Sequence, residues 1–65
     1  MSGGGQEPAL TEQQRMDAFR ALVEAQDAGV PVARSRADVA ALYGLTEAQV
    51  RALEREGLDA GWPPL

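Results

Sequence analysis

A hydroxyl side chain followed three positions later by an amide or carboxyl recurs along this chain, at Thr11 and Gln14, Ser35 and Asp38, and Thr46 and Gln49. That spacing suits a helix start. The first side chain accepts from the backbone N–H three residues on, and the second reaches back, so otherwise unpaired donors are satisfied. Glycines follow at Gly29, Gly44 and Gly57. Glycine stops helices because it adopts the left-handed conformation without a Cβ penalty. Alternating starts and stops predict an all-α fold, a small three-helix domain over residues 10–65.

The apolar pattern agrees with this punctuation. From Thr11, the residues Met16, Phe19, Leu22 and Val23 recur at helical spacing and form one stripe. Gly29 and Pro31 should end that helix, with Val30 to Ala33 as an extended connector. A second helix is expected from Ser35, with Val39, Ala40, Leu42 and Tyr43 apolar and Asp38 near its positive end. Leu45 bridges to a third helix capped by Thr46. Val50 and Leu53 should point inward there, Leu58 should close the end, and Gly57 should weaken or end the helix. Residues 1–9, with Gly3 to Gly5 and Pro8, read as a disordered lead. Trp62-Pro63-Pro64-Leu65 cannot be helical and forms a tail that folds back or stays extended.

Composition narrows the function. The chain has 65 residues, no cysteine and no histidine. It therefore lacks thiolate and imidazole, the usual metal ligands and the commonest general base. The acids do not follow a calcium-loop spacing. No cofactor is expected, and an enzyme is disfavoured. The apolar runs are too short to span a membrane, and the N-terminus lacks the basic and apolar regions of a signal peptide, so the cytoplasm is the default location.

Net charge is −4, with all six basic residues arginine. The charge is uneven. Residues 1–33 carry five acids and two arginines, −3. Residues 34–55 carry four arginines and three acids, +1. Residues 56–65 carry two acids, −2. Only the middle segment is not acidic. Its pattern between Arg36 and Arg55 suits a helix-turn-helix: Gly44 in the turn, small Ala40 one turn earlier, and Val39, Tyr43, Leu45, Val50 and Leu53 to lock the pair. An αα-hairpin with no DNA role is the alternative for the same pattern.

Asp38-Val39-Ala40-Ala41-Leu42-Tyr43-Gly44-Leu45-Thr46-Glu47-Ala48-Gln49-Val50-Arg51-Ala52-Leu53-Glu54 resembles region 4 of the bacterial sigma-70 family. The likeness covers residues 35–64 and includes Gly57, Leu58 and Pro63. It implies a helix-turn-helix that reads a promoter element in the major groove while touching RNA polymerase. The chain departs from that pattern where the family commonly has Arg-Glu-Arg after the threonine; here Glu47, Ala48 and Gln49 follow, and Arg51 alone keeps a matching basic residue. No polymerase-core-binding region precedes the motif. The family's basic tail is replaced by Asp59, Ala60 and Gly61.

The expected DNA-contacting residues are Arg34, Arg36, Thr46, Glu47, Gln49, Arg51 and Arg55. Gln49 suits adenine, Arg51 guanine, and Glu47 cytosine, while Ala48 and Ala52 suit thymine methyls. Arg34, Arg36 and Arg55 suit phosphates. Four arginines give weak binding alone, which a homodimer or a partner protein would repair. Trp62 and Leu65 are either an exposed docking peptide or, for Trp62, a cover over a thin core. The competing function is an acidic protein-interaction adaptor that keeps the scaffold without base reading. Glu47 and the net acidity favour it.

Overall fold

The computed structural model describes residues 10–65; the expected N-terminal lead, residues 1–9, lies outside them. Three helices follow in order: α1 (Glu12–Asp27), α2 (Val32–Tyr43) and α3 (Glu47–Ala60). Each packs against both others. The core consists of Ala18, Phe19 and Leu22 from α1, Val39 and Ala40 from α2, Val50 and Leu53 from α3, and Trp62 beyond it. Met16, Ala21, Val23, Tyr43 and Leu45 pack around this cluster. No described helix is long and apolar enough to cross a membrane.

Two helices begin where their caps are written. The Thr11 hydroxyl accepts from the Gln14 N–H at 3.1 Å, and the Gln14 side chain accepts from the Thr11 N–H at 2.8 Å. Thr46 and Gln49 repeat these bonds at the same two distances. Beginning α2 is different. Its N-cap is Pro31, four residues before Ser35, so Val32 and Ala33 are helical rather than extended. Proline is tolerated at a helix start because the first N–H groups have no intrahelical acceptor, and its fixed φ suits the approach. The Ser35 N–H then donates to the Pro31 carbonyl at 2.9 Å, closing the first turn.

Ser35 is therefore no cap. It is fully buried, donates its hydroxyl to the Val32 carbonyl at 2.7 Å and accepts from Gln26 Nε2 at 3.1 Å. Asp38 accordingly lies well inside α2, beside Arg34 rather than at the helix start.

The helix ends follow one rule. Gly29, Gly44 and Gly61 all have positive φ, and the residue after each turns its N–H back into the helix. Val30 donates to Ala25, Leu45 to Ala40, and Trp62 to Gly57. This closure satisfies a terminal carbonyl and brings an apolar residue back onto the helix just left. At Trp62 the consequence is large. Its ring is 7% exposed and meets Phe19 edge-on, with centroids 5.9 Å apart.

Gly57 does not end α3. It is buried within the helix, and a Cβ there would approach Phe19 Cγ to 2.8 Å and its Cδ1 and Cε1 more closely still. Glycine at 57 admits the Phe19 ring to the backbone. The tail after Trp62 is not extended either. Pro63 and Pro64 form a turn, and the Leu65 N–H donates to the Trp62 carbonyl at 3.0 Å.

Candidate functional site

The outward side of α2 and α3 holds the candidate residues. Val50, Leu53 and Gly57 fix the inward side of α3, so Ala48, Arg51, Ala52 and Arg55 are left exposed. Arg51 and Arg55 stand four residues apart, about one helical turn. Together with Arg36 of α2, Glu54 and Leu58 they line a shallow groove. The structure thus joins three of the expected arginines across two helices.

Their electrostatic states differ. Arg36 is 29% exposed and its Nε and Nη2 both lie 3.0 Å from Oε1 of Glu54, itself 18% exposed. This pair bridges α2 to α3 and holds Arg36 in place, so it serves the scaffold before any ligand. Arg51 meets Glu47 only loosely, at 3.8 Å, with both side chains exposed. Such an exposed pair is worth about 0–1 kcal/mol and gives way readily. Arg55 makes no ion pair among the described residues. Arg34 is exposed and lies 3.8 Å from Asp38, one turn along α2.

Thr46 and Gln49 are exposed at the start of α3, where they form its capping box. A glutamine recognises adenine by accepting through its carbonyl oxygen and donating through its amide nitrogen. The Gln49 carbonyl oxygen already accepts from the Thr46 N–H, and the Thr46 hydroxyl is occupied by the Gln49 N–H. Each side chain thus lends an acceptor oxygen to the start of α3. Glu47, in the first turn, is exposed and turned toward Arg51.

Trp62 belongs to the core, so in this fold it is not offered for docking; Leu65 is 62% exposed. Leu42, an apolar position of α2, and Leu58, expected to close the end of α3, are 73% and 57% exposed. The buried residues of α2 are Ser35, Val39 and Ala40, which places Leu42 on the other side of that helix. Tyr43 is half-buried, its hydroxyl donating to the Asp17 carbonyl at 3.4 Å.

On the α1 side, Arg15 Nε donates to Glu56 of α3 at 3.0 Å and its Nη1 to the Leu10 carbonyl at 2.7 Å. Arg20 lies 2.9 Å from Glu24, and that hydrogen bond, followed by the charge of the same carboxylate, raises the arginine pKa. Glu12, Asp17, Glu24 and Asp27 leave the exposed side of this helix acidic.

The sequence reading missed Glu54 and Leu58 as members of the groove. Arg36 and Glu54 are eighteen residues apart, so no helical spacing connects them. Comparison of the chain with family models, with curated proteins and with solved structures finds no match.

Proposed function

We propose that this protein is a small helix-turn-helix module that contacts DNA through the outward side of α3, as a regulator or accessory of transcription. One observation carries the reading. The chain breaks at Gly44 between two short helices whose Val39, Ala40, Val50 and Leu53 are buried together, while Arg51 and Arg55 stay exposed on the second helix. A recognition helix needs this division, because its inner side must be anchored for its outer side to enter a groove. The resemblance to sigma-70 region 4 over residues 35–64 supports the same assignment.

The electrostatics set the strength. Two loosely held or free arginines on α3 and Arg34 on α2 neutralise few phosphates, so affinity is low and falls only shallowly with salt. A second copy or a DNA-bound partner such as RNA polymerase would keep the module in place. The test is titration of the isotopically labelled chain with duplex DNA at low salt. Amide shifts should concentrate between residues 46 and 58. Shifts confined to α1, or none, would remove the proposal.

A second reading has its own observation. Arg15, Arg20, Arg34, Arg36 and Arg51 each lie within 4.0 Å of a carboxylate, and the exposed side of α1 is acidic. An adaptor that binds a basic protein surface would use that side and leave DNA untouched. In the same titration it gives no DNA-dependent shifts.

A further inference from the structure

We propose that the groove lined by Arg36, Arg51, Glu54, Arg55 and Leu58 takes the phosphate backbone of duplex DNA, and that α3 does not read base edges. The inference rests on the DNA-contacting reading above and goes further by naming what is contacted. Base reading needs long polar side chains in the first turn of the inserted helix, free to meet a donor–acceptor pattern. The first turn of α3 offers only Glu47, which leans toward Arg51 at 3.8 Å. The Thr46 hydroxyl oxygen and the carbonyl oxygen of Gln49 each accept a cap hydrogen bond, Ala48 has no polar side-chain atom, and Glu47 carries the charge phosphates repel.

Positive charge begins one turn later, at Arg51, held only by its loose 3.8 Å pair with Glu47, and continues at Arg55. Both border a groove whose own acid, Glu54, is held by Arg36 and mostly withdrawn from solvent. A groove with two available guanidinium groups and a neutralised carboxylate complements a chain of phosphodiesters. Leu58 supplies an apolar wall that suits sugar carbons. Phosphate contacts position a protein on DNA without carrying sequence information.

Fluorescence anisotropy of the intact chain tests this with two duplexes of equal length, one A·T-rich and one G·C-rich. The proposal expects affinities equal within about twofold and a slope of log affinity against log salt of about −2, as two phosphate contacts give. Arg51→Gln and Arg55→Gln should each flatten that slope by about 1 on both duplexes alike. Arg20→Gln on α1 should leave it unchanged, and circular dichroism should show every variant folded. A preference above about a hundredfold for one duplex, lost in Arg51→Gln, would overturn the proposal while leaving the DNA reading intact. Saturation of Arg51 and Arg55 by inorganic phosphate alone, with no gain from a duplex, would overturn it in favour of a small-anion site. No binding of either duplex at low salt would remove both readings.

Discussion

Along α3, Val50, Leu53 and Gly57 share a backbone with Ala48, Arg51, Ala52 and Arg55, yet the two sides answer to different physics. On the inner side, shape decides. Gly57 is set against the Phe19 ring so closely that one added carbon has no room, and Trp62 closes the same corner edge-on. On the outer side, charge and reach decide, and no neighbouring helix constrains them. A domain this small can be intolerant on one side of a helix and permissive on the other. The division leaves the outer side free to acquire or lose a binding role without unfolding the chain.

Substitutions ordered by expected effect sharpen that contrast. Trp62→Ala should be the most damaging, costing about 3 kcal/mol or more, as removal of buried aromatics does. Its measure is the urea midpoint, and a shift of only a few tenths of a kcal/mol would mean that Trp62 does not close the core. Gly57→Ala comes next. Helix propensity alone would make it stabilising by about 1 kcal/mol. Overpacking against Phe19 should reverse the sign and cost about 2 kcal/mol. A higher melting temperature in this variant would show that the ring yields and that the inner side is not governed by shape.

Thr46→Ala removes the hydroxyl that starts α3 and should cost about 1 kcal/mol. Ser35→Ala is its informative partner, because the sequence presents both residues as caps. Its loss should weaken the link between α1 and α2 by leaving the half-buried Gln26 amide without this acceptor, a cost of about 1 kcal/mol. Hydrogen exchange at residues 26–36 would report it, and unchanged protection there would return Ser35 to an incidental role. Smallest of all, Arg51→Gln should move stability by no more than about 0.5 kcal/mol, since its pairing with Glu47 is long and exposed. A larger loss would show that the outer side also holds the fold together.

Much of this architecture is legible from local chemistry. Thr11, Gln14, Thr46 and Gln49 form their caps from neighbours within one turn, and Gly29 and Gly44 break helices by their own backbone freedom, so a linear reading finds them. The stripe from Met16 to Val23 locates the buried side of α1 for the same reason. Ser35 shows where such reading stops. Its spacing to Asp38 matches a cap, but Pro31 starts the helix earlier and burial draws the hydroxyl to Gln26 instead. Leu42 and Leu58 are apolar yet exposed, because which side of each helix turns inward depends on what it packs against.

For the candidate surface the same boundary holds. The sequence alone determined that three short helices form, where α1 and α3 begin, where α1 and α2 end, and that four of the six arginines gather in the middle segment, since each follows from interactions within a few residues. Only the tertiary structure decided that Glu54 holds Arg36, that Gly57 admits Phe19 and that Trp62 belongs to the core. Those are contacts between helices. Their partners are set by how three cylinders pack in space, and sequence spacing carries no information about that.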